Sequence, residues 1–457
     1  MSANELPDEP WDSDVAHLLQ QSMTHVRQLF LSGDVSPVAV TRAALDRIES
    51  NERLGAFAQV DRDGALKAAA ASEDRYRRSV SRGPLDGITI SVKDIIAAEG
   101  LQWEAGSAVL SGQRAAHDAA AVATLRREGA VIVGKTALDE FALTTTGPVL
   151  NPVSEDLTAG GSSCGSAVAV RTGMSFADLA TDTGGSVRIP AHCCHVTGLK
   201  PTRSLLPLDG VLPLAHSLDH LGIITRTVED SAVVLGGLLT GGSPVDVRSI
   251  PAPTDLRIGV PTNLRFHGTR AEGEYWRSVQ ALESLGMRRV DVTLPDLDVV
   301  ADVHQAILRT EMRGYHAGRF GRSENRYGPG LHEFIWGQPT VTAGQYLQAQ
   351  RVRAELAGAV SKQLGTCAVL ALPTLLVDIP SAGQYEIDLD GMPTFATSAM
   401  VRLTALFDHT GHPAVTVPLN TGSHNAFDSI QLVAGYFDDA FLLAFGQFCQ
   451  QLLQDAR

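Results

Sequence analysis

The sequence predicts an α/β protein with helices on both faces of a sheet. Short apolar runs of strand character alternate with segments of helical period along most of the chain. No fixed-period repeat or low-complexity linker divides the 457 residues, a length that suits one large domain or two to three smaller ones. With 44% hydrophobic and 19% charged residues the composition is that of a globular chain.

Taken in order, residues 15–33 and 37–50 read as amphipathic helices. Ser36 is placed to cap the second, and Pro37 sits at its first position, where a missing N–H costs nothing. The Ala-rich stretch Gly64–Arg78 continues the helical pattern. Strands are expected at Ile88–Val92, Ala130–Val133, Leu256–Val260, Ala368–Leu372, Ala414–Val417 and Ile430–Ala434. Helices are expected at 119–128, 274–285, 342–363 and 438–454. Residues 300–345 mix Arg, His and aromatic side chains with weak periodicity, and predict an irregular helical region that shapes a pocket.

Charge narrows the function. Acidic side chains number 51 against 37 basic ones, a net charge of −14. Nucleic-acid affinity rests on a basic face that neutralises phosphates, and no Lys/Arg block supplies one, so nucleic acid is excluded as a partner. Five cysteines, an odd number thinly spread, do not make a disulfide framework and point to a reducing cytoplasm. The acidic start lacks the basic and apolar regions of a secretory signal, and no apolar run reaches membrane length. A cytoplasmic chain with no membrane partner is expected. Only five of the basic residues are lysines: Lys67, Lys93, Lys135, Lys200 and Lys362.

Two Gly/Ser-rich stretches stand out, Gly160–Ser166 and Thr181–Pro190. Each runs into apolar or helix-forming sequence, where glycine would let backbone N–H groups approach an anionic or oxyanionic atom. Neither is a phosphate loop, because no Gly-Lys-Ser/Thr ending follows. A serine nucleophile in such a loop needs a base. Lys93, at the end of an apolar strand, is the candidate, since desolvation lowers a lysine pKa. Position alone leaves open a structural lysine paired with Asp94. Gly161-Ser162-Ser163-Cys164-Gly165 also satisfies Gly-x-Ser-x-Gly, which would make Ser163 the nucleophile of an α/β-hydrolase-type esterase, but the polar segment before it is a poor strand. His192-Cys193-Cys194-His195 has the wrong spacing for zinc, and no metal ligand set is assigned.

Gly83–Ile88 through Ser91–Asp94, Gly134–Thr136 through Asp139–Phe141, Gly160–Ser166, Thr181–Pro190, Gly198–Thr202 and Ser217–Gly222, and more weakly Ala371–Thr374 and Gly411–Ala414, follow one another along the chain. In these motifs the chain resembles the amidase signature family of serine hydrolases. It implies one large domain over residues 81–457 built on a mixed sheet, with 81–230 as catalytic core, 300–345 as pocket region and 1–80 as a helical segment packed on the core. It also implies a Ser-Ser-Lys triad. Ser186 is the nucleophile, Ser162, on a non-proline cis peptide, the bridging serine, and Lys93 the base. The amides of Thr183, Gly184, Gly185 and Ser186 are expected to hold the oxyanion, with Asp182, Arg188 and Ser163 supporting the loop. Thr145, His195 and Arg353 are candidate substrate contacts. No cofactor is called for. Lys135 and Lys200 are expected to be structural, Lys67 and Lys362 solvated, and Cys164 a buried thiol.

The function expected on these grounds is a small-molecule amidohydrolase cleaving a linear carboxamide or urea-type C–N bond through an acyl-enzyme, with room for a homodimer. The alternative is the A subunit of a glutamine-dependent aminoacyl-tRNA amidotransferase, from the same family. Arg353 matches the substrate-carboxylate arginine of those proteins. Val401 stands where they carry an acidic residue, and Asp408-His409-Thr410 where they read Asn-Leu-Ala.

Overall fold

Successive residues of the central strands are buried on opposite faces of one sheet. Val131, Val133, Ala180 and Ile224 join one apolar cluster, whereas Ile132, Leu179 and Ile223 join another, as the two-residue period of a strand requires. The structure is a computed structural model that describes residues 15–455, apart from 145–146, 148, 241–244, 246–249, 322–325 and 420–426.

Thirteen strands occur among the described residues: β1 (Phe57–Val60), β2 (Thr89–Lys93), β3 (Val131–Thr136), β4 (Ala177–Asp182), β5 (Thr197–Lys200), β6 (His220–Thr225), β7 (Arg257–Pro261), β8 (Arg288–Val292), β9 (Val369–Leu372), β10 (Glu386–Leu389), β11 (Met392–Phe395), β12 (Ala414–Pro418) and β13 (Ser429–Val433). Eleven form one sheet in the order β1-β3-β2-β4-β6-β5-β12-β13-β9-β7-β8, and β10 with β11 makes a separate hairpin. Pairing is parallel for β3-β2-β4 and β9-β7-β8 and antiparallel elsewhere, so the sheet is mixed. The expected single domain with a large mixed sheet flanked by helices is what the structure shows. β1 closes one edge, so the N-terminal 80 residues contribute a strand as well as helices.

Every residue of β2, β4, β5, β6, β12 and β13 is buried, which is why those strands carry little polar alternation. The helix Pro37–Ser50 begins as the sequence predicts, with the Ser36 side chain accepting from Ala39 N–H. One expectation differs in its first part. The stretch expected to be irregular opens with a regular 24-residue helix, Leu297–Phe320. Its buried stripe is Val300, Val303, His304, Ile307, Leu308, Met312 and His316. Two histidines within that stripe hide the helical period from a hydrophobicity pattern.

Candidate active site

The parallel strands β2 and β4 are adjacent, so Lys93 and Asp182 leave the sheet at the same edge, the edge beyond the carboxyl ends where open α/β sheets hold their ligands. Lys93 is the last residue of β2 and is fully buried. Its Nζ donates to Ser162 Oγ at 2.8 Å and to Thr181 Oγ1 at 3.0 Å. Ser162 follows the cis Gly161–Ser162 peptide and is itself fully buried.

Lys93 has hydroxyl partners and, among the described residues, no carboxylate within hydrogen-bonding reach. Burial pulls its pKa down to about 8, against the opposing fields of Cys164, Asp139, Asp178 and Asp182. The alternative pairing with Asp94 is not made. Asp94 turns the other way and binds Lys135 at 3.0 Å.

Ser186 begins the turn between β4 and the short helix Arg188–Cys193. Its 6% exposure contrasts with 0% for Ser162 and Lys93, so solvent reaches the proposed nucleophile and not the two groups behind it. The structure brings the two serines together through main chain, Ser163 N–H donating to Ser186 O at 3.3 Å. Among the described residues the hydrogen-bond chain runs from Lys93 to Ser162, and no hydrogen bond joins the Ser162 and Ser186 hydroxyls.

The expected four-amide oxyanion cradle needs correction. Gly185 N–H is given to Asp182 Oδ1 at 2.7 Å, so it is not available to an oxyanion. The amides of Thr183, Gly184 and Ser186 have no acceptor among the described residues. Glycine is nonetheless required at 185: φ is +132°, and a Cβ would stand 2.3 Å from Thr404 Oγ1.

Asp182 and Arg188 hold this loop. Besides Gly185, the Asp182 carboxylate accepts from Val187 N–H at 3.1 Å and Arg188 N–H at 3.4 Å. Burial alone would raise its pKa, yet the Arg188 guanidinium holds it well below the usual carboxylate range.

Ser163 is buried at the start of the helix Cys164–Arg171, its hydroxyl 3.4 Å from Thr181 O. Among the described residues no strand leads directly into it, so the strand–elbow–helix of an α/β-hydrolase is missing. The Cys164 thiol is buried and pushed well up by burial.

Of the candidate substrate contacts, Thr145 lies outside the described residues. His195 has φ of 53° and its Nε2 lies 3.3 Å from Asp428 O. His192 pairs with Ser429 Oγ at 2.6 Å, so both histidines turn to the start of β13. Arg353 donates to His409 O at 2.8 Å and to Ser217 O at 2.6 Å. Lys67 and Lys362 are exposed, as expected of solvated helix residues.

Four residues that sequence reasoning left without a role face the loop or the relay. Thr181 receives a Lys93 bond. Thr404 donates to Gly184 O at 2.6 Å. His304, joined to His409 at 3.2 Å, has its ring edge 3.1 Å from where a Cβ on Gly184 would stand, with Val401 at 3.6 Å. Asp408 shares Arg188 with Asp182. Thr181 and Asp408 left a sequence signal, Thr181 as the first residue of the second Gly/Ser-rich stretch and Asp408 as a departure in the motif before Gly411.

A large mixed sheet whose Gly/Ser-rich loop is backed by a buried lysine and a serine on a cis peptide is the arrangement of a class of amide hydrolases. Residues 39–443 match the family model for Amidase, and the chain belongs to this amidase signature family of C–N hydrolases. The A subunit of the glutamyl-tRNA(Gln) amidotransferase of Chloroflexus aurantiacus is 32% identical, the match covering 95% of this chain and 96% of that protein. The mitochondrial counterpart from Anopheles gambiae is 31% identical over 91% of this chain and 94% of its own. A solved structure described as an amidase superposes with a TM-score of 0.87 at 31% identity, covering 95% of this chain and all of that one.

These relatives overturn two expectations. A stand-alone small-molecule amidohydrolase is not what full-length similarity to the A subunits of tRNA amidotransferases supports, nor is the expected partner set of a small-molecule amide without nucleic acid. The acidic balance misled because it bears only on phosphate contacts made by this chain itself. No helix among the described residues is long and apolar enough to cross a membrane.

Proposed function

We propose that the chain is the ammonia-releasing A subunit of a glutamyl-tRNA(Gln) amidotransferase. The observation that carries this reading is identity of 30–32% to such proteins along nearly the whole of both chains. The site's chemistry supports it. Neutral Lys93 takes a proton from Ser162 as Ser162 takes one from Ser186, and Ser186 Oγ attacks the side-chain carboxamide carbon of glutamine. The amides of Thr183, Gly184 and Ser186 receive the developing oxyanion. Ser162 passes the proton to the departing nitrogen, ammonia leaves, and water cleaves the acyl-enzyme to glutamate by the reverse relay. Ammonia then serves the partner subunits, which hold the glutamyl-tRNA, so the −14 charge of this chain is no obstacle.

Apolar Val401 beside Gly184 gives the substrate amine no acidic partner at that position. Glutamine binding by the isolated chain is therefore expected to be weak.

The test is reconstitution with the partner subunits of the same organism. Glutamine should drive amidation of glutamyl-tRNA, and Ser186→Ala should abolish that reaction while ammonium chloride still supports it. No glutamine-driven amidation in a complex that works with ammonium chloride would reject the proposal.

A further inference from the structure

Behind the nucleophile loop, two fully buried carboxyl groups meet one cation. Arg188 Nη2 lies 2.9 Å from Asp182 Oδ1 and 2.7 Å from Asp408 Oδ2. The other donors of the guanidinium go to Asp182 Oδ2 at 3.0 Å, Thr404 O at 2.9 Å and Gln431 Oε1 at 2.8 Å, which uses all the N–H groups an arginine has. The two carboxyl groups thus meet at one nitrogen, Asp182 through Oδ1 and Asp408 through Oδ2. Two carboxylates sharing a site repel each other, and one proton between them turns the repulsion into a bond.

We propose that Asp408 is a neutral carboxylic acid that donates its proton to Asp182, and that this bond positions the nucleophile loop. The partition of donors says which group keeps the proton. Asp182 accepts from three loop amides and twice from Arg188, a set that stabilises an anion. The carboxyl of Asp408 accepts only from Arg188 Nη2 among the described residues, and its Oδ1 has no donor.

Other charged groups do not fill that gap. From β6, His220 Nδ1 comes to 3.4 Å but lies 2.7 Å from Leu218 O, to which it gives its hydrogen. From β5, Lys200 Nζ donates to Pro201 O and His412 O, and burial pulls it down to about 7. It therefore offers no full cation at the pH where Lys93 becomes a base. Arg203 donates to the main-chain O of Asp408 and not to its carboxyl. Desolvation accordingly raises Asp408 well above the carboxylate range. The sequence departure now has a meaning: a protonated aspartic acid presents a donor group beside an acceptor oxygen, as the NH2 and carbonyl of asparagine do.

Asp408 does not reach the substrate position directly; its effect passes through Asp182 to the amides of Gly185 and Val187. The test compares Asp408→Asn and Asp408→Ala in the intact chain, assayed with glutamine or whichever amide the purified protein hydrolyses. Asp408→Asn should keep turnover within about threefold at neutral pH, whereas Asp408→Ala, losing the donor, should lose about 10²-fold through displacement of the loop. The wild type should also fall in activity at alkaline pH as Asp408 ionises, and Asp408→Asn should lack that falling limb.

Infrared difference spectra need no substrate. Wild type minus Asp408→Asn should contain the C=O stretch of a protonated carboxylic acid, moved by ¹³C-aspartate labelling. Absence of that band, or a folded Asp408→Asn variant as impaired as Asp408→Ala, would overturn the proposal. Failure of glutamine as substrate would bear on the amidotransferase reading alone.

Discussion

Lys93 and Lys135 lie on neighbouring parallel strands, one residue out of register, and both are fully buried. Their surroundings differ in kind. Lys135 Nζ has the Asp94 carboxylate at 3.0 Å and the carbonyls of Ile96 and Gln102 at 2.7 and 2.9 Å. Lys93 has two hydroxyls, at 2.8 and 3.0 Å. Burial lowers both lysines, but Asp94 opposes it directly at Lys135 by charge and hydrogen bond, whereas only more remote fields oppose it at Lys93. Equal burial therefore does not make equal lysines. The partner set ties Lys135 to a carboxylate and leaves Lys93 with hydroxyls alone, a difference that activity can test.

The largest expected effect separates the two. Lys93→Ala should lower turnover by about 10²–10⁴-fold, the usual worth of a positioned base, with the protein still folded by circular dichroism. Lys93→Arg should be as inactive, because a guanidinium keeps its proton. Substantial turnover in either variant would end the distinction drawn here.

Lys135→Met should do the reverse. Removing one partner of a buried pair costs about 3–5 kcal/mol, read as a lower urea midpoint, while turnover per folded molecule changes little. Adding Asp94→Asn should recover much of that loss, since the two sites are directly coupled.

A smaller effect tunes the base. Lys93 must be neutral to accept a proton, so kcat/KM should rise with pH through about 8, the value to which burial brings it, before the alkaline fall expected from Asp408. Asp139 is among the anions that raise Lys93, and burial holds its own carboxyl up at about 6. Taking that charge away in Asp139→Asn should move the rise to lower pH, by roughly half a unit to one unit. A shift to higher pH would show that the Asp139 charge does not act on Lys93.

These contrasts were only partly legible in the sequence. Strands with β-branched runs, such as β2, β3 and β12, announce themselves. Ala177–Asp182 does not, because a central strand buried on both faces needs small residues and no alternation, yet it carries Thr181 and Asp182 into the site. The burial of Lys93 was legible from its place after an apolar run. Its partner was not: Asp94 is next in sequence, but successive residues of an extended chain face opposite ways, and Asp94 meets Lys135 instead. His304 and Asp408 lie on helices that reach the loop from distant parts of the chain, and no local pattern brings them there.

The smallest effect is expected at Ser163, which differs from Ser162 by one position and in the partner of its hydroxyl. Ser162 Oγ receives the Lys93 proton donor at 2.8 Å, whereas the Ser163 hydroxyl has only Thr181 O at 3.4 Å, a long contact with a main-chain carbonyl. What Ser163 gives the site is its amide, donated to Ser186 O, and a substitution leaves the amide in place. Ser163→Ala should therefore cost less than about tenfold in kcat, the loss of one weak neutral hydrogen bond, where Ser162→Ala breaks the relay. Comparable losses in the two variants would mean that proton transfer does not follow the Lys93–Ser162 contact, and the contrast between the two lysines would lose its functional half.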